Sequence, residues 1–207
     1  MKKNNFQNIM VPIKKLGRSV FTTHELITIS GKSSSTIIQC LNRLVKQGLF
    51  IKIYRGVWAE AGDKRVSAFE TIPYLFPRQR VYVSFISALH LHGILEQIPQ
   101  VITLASTAHT SAIRTLAGTF SVHQIDPVIF DGFDWYKEEG SFLIAEPEKA
   151  LVDSLYLSSR KKKQFGHFPE LSFPPEFSFK KAVQWVERVP EERIRRYIIK
   201  KLETLAE

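Results

Sequence analysis

Apolar residues near the start of the chain recur at the helical period. Phe6, Ile9, Met10, Ile13 and Leu16 predict a first helix, with Gly17 as its stop. Ser19-Val20-Phe21-Thr22 reads as a short strand, and Thr23 as the N-cap of a short helix through His24-Glu25-Leu26-Ile27. Ser30-Gly31-Lys32 makes a turn. The serines at 33 to 35 then offer an N-cap for a longer helix that runs to about Gln47, before Gly48. Its apolar residues Ile37, Ile38, Leu41, Leu44 and Val45 form one stripe, with Cys40 at the edge as a packing residue. Ser35, Gln39, Asn42, Arg43 and Lys46 form a second stripe, and that stripe contains no acid. Leu49 to Tyr54 reads as a strand, Arg55-Gly56 as a two-residue turn and Val57-Trp58-Ala59 as the return strand.

A short helix, a glycine turn, a second helix and a basic hairpin follow one another in the order of a winged helix-turn-helix. In helix-turn-helix proteins the second helix enters the major groove with its N-terminal residues foremost. Amides, hydroxyls and cations without acids suit base edges and phosphates. The serine-rich helix start suits a phosphate, and Lys52 and Arg55 on the hairpin suit the flanking backbone. A winged helix that binds protein is the competing reading.

Beyond residue 62 the pattern changes to interleaved strands and helices. Val66 to Phe76 has helical spacing limited by Pro73 and Pro77, and Ser84 is placed to cap a helix from Phe85 to His92, closed by Gly93. Strands are predicted at Val101–Leu104, Thr119–Ile125, Val128–Tyr136 and Ser141–Ala145, followed by a helix from Pro147 to about Ser158. A Pro- and Phe-rich connector (Phe165, Phe168, Pro169, Phe173, Pro174, Pro175, Phe177) leads to two helices, Ser178–Val189 and one starting at Pro190. The expected fold class is α+β: a winged helix-turn-helix over 1–62, a mixed α/β domain over 63–160, and a connector with C-terminal helices packed on it over 161–207.

Composition sharpens the functional side. The chain has 207 residues, 44% hydrophobic and 24% charged, which is ordinary for one or two folded domains. No apolar stretch reaches the roughly 18–20 residues that span a bilayer. Met1-Lys2-Lys3 is followed by Asn4, Asn5, Gln7 and Asn8 where a signal peptide needs an apolar core, so a cytoplasmic location is expected. Cys40 is the single cysteine, which leaves no internal disulfide and no thiolate-rich metal site. The net charge is +9, and its distribution is uneven. Residues 1–60 carry ten basic and two acidic side chains, residues 61–157 carry seven and eleven, and residues 158–207 carry twelve and seven. A strongly basic N-terminal block on a mildly acidic middle points to a polyanion-binding module joined to something else. Arg193, Arg196 and Lys200 recur on one side of the last helix, with Arg160 to Lys163 nearby in sequence. They read as a solvated face, a second phosphate contact or a docking surface.

Catalytic patterns are sparse. G-x-S-x-G, H-E-x-x-H and the Walker A loop do not occur, and Gly140-Ser141 lacks the D-x-D of a nucleotidyltransferase. His90 and His92, two apart on a helix, point away from each other. Asp126, Asp131 and Asp134 precede Glu146-Pro147-Glu148-Lys149, an order similar to the acid-plus-E-x-K layout of metal-dependent nucleases. Pro147, however, makes Glu146 and Glu148 helix-start residues, where the macrodipole accounts for acids, and Lys149 with Asp153 reads as an ordinary i,i+4 pair. No catalytic residue, cofactor or metal is therefore predicted, and a metal-dependent nuclease stands as the enzymatic alternative.

The segment Ile144-Ala145-Glu146-Pro147-Glu148-Lys149-Ala150-Leu151-Val152-Asp153-Ser154-Leu155-Tyr156-Leu157 resembles the A-x-P-E-K-A-L-x-D signature of the AbiEi-like antitoxins, the abortive-infection antitoxins of type IV toxin–antitoxin systems. Leu44 to Leu49 running into Tyr54-Arg55-Gly56-Val57-Trp58 agrees with that family, as do Tyr82-Val83-Ser84, Ser87-Ala88-Leu89 and His92-Gly93. The likeness spans roughly residues 8–160. It implies an autorepressor in phage defence that binds inverted repeats in its own promoter and counteracts a nucleotidyltransferase-like toxin, without requiring a stable toxin complex. It also implies DNA contacts at Ser33, Ser34, Ser35, Thr36, Gln39, Asn42, Arg43, Lys46, Lys52 and Arg55. Dimerisation on paired half-sites stays open, as does a winged-helix transcriptional regulator with no toxin partner. Glu148, Lys149 and Asp153 read as structural or functional.

Overall fold

The computed structural model describes residues 4–137, 141–160, 165, 168 and 170–206. Met1 to Lys3, the Phe6 side chain, Gly140, Lys161 to Lys163 and Pro169, all named above, lie outside the described residues. The chain divides into two compact units, Met1–Pro77 with Thr115–Gly118, and Arg78–Arg114 with Thr119–Glu207. The first unit thus runs on to Pro77, past the 62 read from sequence. The 3-10 turn Phe69–Thr71 and the short helix α4 (Ile72–Leu75) belong to it, with Thr71 and Ile72 buried.

The first unit runs α1 (Asn4–Leu16), β1 (Val20–Thr22), α2 (Thr23–Ser30), α3 (Ser34–Lys46), β2 (Phe50–Tyr54) and β3 (Val57–Glu60). The three strands form an antiparallel sheet in the order β1-β3-β2, which completes the winged helix-turn-helix. Its core is Ile9, Ile13, Phe21, Leu26, Ile37, Leu41, Leu44, Phe50 and Trp58, all buried. Phe21 and Phe50 meet edge to face at 5.7 Å, and the Trp58 indole N–H donates to Thr23 Oγ1 at 2.8 Å.

Two expectations are corrected here. Thr22, not Thr23, caps α2. Its side chain accepts the Glu25 N–H at 3.2 Å, and its own N–H donates to Glu25 Oε2 at 2.7 Å, a capping box that the S/T-x-x-E spacing selects. Ile38 leaves the apolar stripe: it is 38% exposed while Ile37, Leu41 and Leu44 are fully buried. Gly31 ends α2 in the left-handed region (φ +64), and its N–H closes on the Ile27 carbonyl at 2.9 Å. Gly31, Lys32 and Ser33 together turn the chain from α2 into α3.

The second unit is built on a six-stranded mixed sheet in the order β6-β7-β5-β4-β9-β8. The strands are β4 (Val81–Val83), β5 (Ile102–Ser106), β6 (Ser111–Arg114), β7 (Thr119–Gln124), β8 (Phe133–Trp135) and β9 (Leu143–Ala145). β4 pairs parallel with β9, and β5 with β7; the other pairs are antiparallel. α5 (Phe85–Leu91) packs on β5, α6 (Pro147–Ser159) packs on α5, and α7 (Phe179–Glu187) and α8 (Glu192–Ala206) pack on α6. The expected strand Val128–Tyr136 is shorter. Asp126 caps a 3-10 turn over Pro127–Ile129 by accepting the Val128 N–H at 2.9 Å, and only Phe133–Trp135 remain extended.

Gly132 lies just before β8 at φ +72, and a Cβ there would stand 2.8 Å from Cη2 of the Trp185 indole. Glycine is required for both conformation and space. Gly132→Ala is expected to destabilise the protein by about 1–3 kcal/mol through overpacking. The check is the urea midpoint at constant m, and an unchanged midpoint would remove the argument.

Candidate nucleic-acid interface

α2, the Gly31 turn and α3 hold one exposed surface in place because the other side of α3 is anchored by Ile37, Leu41 and Leu44. Ser33 caps α3: its Oγ accepts the Thr36 N–H at 3.3 Å and lies 2.9 Å from Thr36 Oγ1 and 3.1 Å from Ser35 Oγ. The hydroxyls of Ser33 and Thr36 are therefore engaged in shaping the helix start. Ser34, Ser35, Gln39, Asn42, Arg43 and Lys46 are all exposed. Ile38 stands among them, one turn from both Ser34 and Asn42.

The wing is the β2–β3 hairpin. Its turn uses Gly56 at φ +77, and the register shifts by one residue between Lys52 and Tyr54. Lys52 and Arg55 are exposed, and Tyr54 is 39% exposed beside them. The Lys52 ammonium lies 5.3 Å from the centroid of the Trp58 ring. The stem of Lys52 thus covers the buried indole while its charge stays at the surface. All ten residues expected at DNA lie on α3, on its cap or on this hairpin. No sequence signal marks Ile38 and Tyr54 as part of this surface, since an isoleucine at a stripe edge and an aromatic in a strand read as packing residues.

The signature residues of the second unit are placed very differently. Lys149 and Asp153 on α6 form an ion pair that is 1% and 0% exposed, not the solvated pair that the spacing suggests. Lys149 Nζ donates to Asp153 Oδ1, and to the Tyr82 hydroxyl at 3.0 Å. Asp153 Oδ2 accepts from the Tyr82 hydroxyl at 2.9 Å and from Ser84 Oγ at 2.7 Å. The Ser84 side chain therefore serves Asp153 and does not cap α5, as the sequence had implied. Phe85, which follows it, is fully buried at φ +58, a conformation that bulky side chains seldom adopt. Burial pushes the Lys149 ammonium below its ordinary range, against the pull of Asp153. Burial, and then the Asp153 charge, push the Tyr82 hydroxyl far up, so it stays protonated and able to donate. Glu148 is also buried, and its Oε1 accepts the Ser178 N–H at the start of α7 at 3.0 Å.

The carboxylates that resembled a nuclease centre are dispersed among other partners. Asp131 pairs with Arg188 at 2.9 Å, Asp134 Oδ1 accepts the N–H of its neighbour Trp135, and Glu146 pairs with Lys181 at 3.0 Å. Among the described residues no group of three His, Cys, Asp or Glu is arranged to hold a metal. His90 Nδ1 lies 2.9 Å from the Leu95 carbonyl and His92 Nε2 lies 2.8 Å from that of Ala145, so the two histidines serve different neighbours. On α8, Arg193, Arg196 and Lys200 are exposed, and Arg160 pairs with Glu191 just before that helix. No described helix is long and apolar enough to cross a membrane.

Two comparisons with known proteins bear on the fold and on the N-terminal helices and hairpin. The RV2827C protein from Mycobacterium tuberculosis, known from a crystal structure, superposes with a TM-score of 0.50 at 15% identity, over 94% of this chain and 71% of that one. Likeness at that identity concerns the fold. No curated protein sequence matches the chain. Residues 14–61 match the family described as "Transcriptional regulator, AbiEi antitoxin". Over these residues, which hold the helix pair and the wing, the chain is thus similar to the AbiEi antitoxin family of transcriptional regulators.

Proposed function

We propose that this chain is a sequence-specific DNA-binding antitoxin that represses its own operon, with α3 as the recognition helix and the β2–β3 hairpin as the wing. The observation that carries this reading is the exposed, acid-free face of α3, backed by a buried stripe that fixes its orientation. Gln39 and Asn42 offer amides to adenine edges, and Arg43 offers a guanidinium to guanine. Ser34, Ser35 and Lys46 lie along the same face, and Lys52 and Arg55 reach flanking phosphates. Ser33 and Thr36 set the helix start. The match of residues 14–61 supports this assignment.

The antitoxin half of the proposal rests on the 144–157 segment, which resembles the family signature outside the matched stretch. Under this reading the second unit counteracts a nucleotidyltransferase-like toxin. With Glu148, Lys149 and Asp153 buried, the signature holds that unit together and is not itself a contact surface. Co-expression with the nucleotidyltransferase-like protein encoded by an adjoining gene tests it: growth is restored by the intact chain. Absence of such a gene, with repression intact, favours a regulator without a toxin.

The DNA-binding half is tested by gel shift on the duplex upstream of its own gene at about 0.15 M salt, against unrelated duplex. Arg43→Ala is expected to cost about 1–3 kcal/mol on the preferred sequence and to relax the choice at one base pair. Lys52→Gln, which keeps the stem over Trp58 and removes the charge, is expected to weaken all sequences alike. It should also flatten the slope of log K against log salt by about one unit. Binding with no sequence preference would overturn the proposal.

A further inference from the structure

Ile38 is the exposed residue of α3 whose side chain cannot donate or accept a hydrogen bond, and it lies where the polar face borders the buried stripe. Ser34 stands one turn before it and Asn42 one turn after, both exposed, while Ile37 and Leu41 beside it are fully buried. A single exposed apolar side chain is unremarkable on an ordinary surface. Here it sits among side chains suited to base edges, on a helix whose outer face has no acid. Among base-pair edges in the major groove, one group is apolar: the C5-methyl of thymine. A β-branched side chain on a helix is held close to one χ1 rotamer, so its Cγ2 methyl occupies a set position.

Taking the DNA-binding reading as its basis, we infer that Ile38 is a specificity-determining residue that selects a thymine through its C5-methyl group, next to the base read by Asn42. Burying one methyl group corresponds to about a fourfold change in affinity.

The test uses the full chain and the duplex it selects from a randomised pool, with each thymine replaced in turn by deoxyuridine, which differs only in lacking that methyl. At one thymine the replacement weakens the native protein about fourfold. Ile38→Ala binds the thymine duplex more weakly and is indifferent to the replacement at that same position. Ile38→Val, which keeps both branches at Cβ, retains part of the discrimination. The melting temperature of each variant shows that α3 is intact. If Ile38→Ala loses as much as the native protein on removal of every methyl, or if no methyl matters to the native protein, Ile38 does not read thymine although the chain still binds DNA specifically. If no sequence is enriched from the pool, the DNA-binding reading itself fails and the inference with it.

Discussion

Asp153→Ala is expected to cost about 3–5 kcal/mol, a large share of the stability of a domain of this size. The aspartate takes the Lys149 ammonium on one oxygen and the Tyr82 and Ser84 hydroxyls on the other, at 0% exposure. These partners come from α6, from β4 and from the residue that leads into α5, so one carboxylate joins the sheet to two helices. Removing it leaves a buried cation without its counter-charge and two hydroxyls without their acceptor. The Lys149 ammonium, already disfavoured by burial, loses the interaction that opposes that penalty. Urea unfolding followed through Trp185, whose ring centroid lies 5.7 Å from Lys149 Nζ, reads the loss directly. Removing both charges in Lys149→Met/Asp153→Leu should recover much of it, because an apolar pair of similar volume often replaces a buried ion pair at little cost. A single variant whose midpoint stays within about 1 kcal/mol of the native protein would show that the hub does not hold the unit together.

Trp58→Ala is expected to be comparably severe in the first unit, at about 3–5 kcal/mol. The indole is 1% exposed in the core cluster, donates to Thr23 Oγ1 at 2.8 Å and is covered by the Lys52 stem. Truncation opens a cavity beneath the wing, orphans the Thr23 hydroxyl and withdraws the surface on which Lys52 lies. DNA affinity should fall with stability, since the hairpin and the start of α2 lose their common anchor. Trp58→Phe keeps most of the volume and loses the donor, and should cost about 1–3 kcal/mol. Equal losses in the two variants would assign the effect to the hydrogen bond and not to packing.

The winged helix was legible because its signals are local. Helical spacing along α1 and α3, the turn glycines Gly31 and Gly56, and serine at the α3 cap each act over one turn of chain. The errors fell where two local solutions compete. Thr22 and Thr23 are both good caps, and the position of Glu25, three residues after Thr22, decides between them. Ile38 reads as interior because an apolar stripe at helical period has no sharp edge; the burial of Ile37 and Leu41 shows where the edge runs. In the second unit, β4 and β6 carry no periodic sequence signal. β4 has three residues, all buried, so nothing alternates along it. β6 is an edge strand with little burial on either side, so it shows no alternation either.

Sequence alone determined the α+β class, the acid-free polar stripe of α3 and the likeness to the antitoxin family, because helical period, charge and short signatures are properties of neighbouring residues. Tertiary structure alone decided that Lys149 and Asp153 are interior. An i,i+4 pair looks the same on a solvated helix as on a central one, and only the packing of α5, α7 and α8 around α6, with Tyr82 of β4 reaching in, takes it out of water. It also decided that Ile38 faces outward, since exposure depends on where the neighbouring elements end.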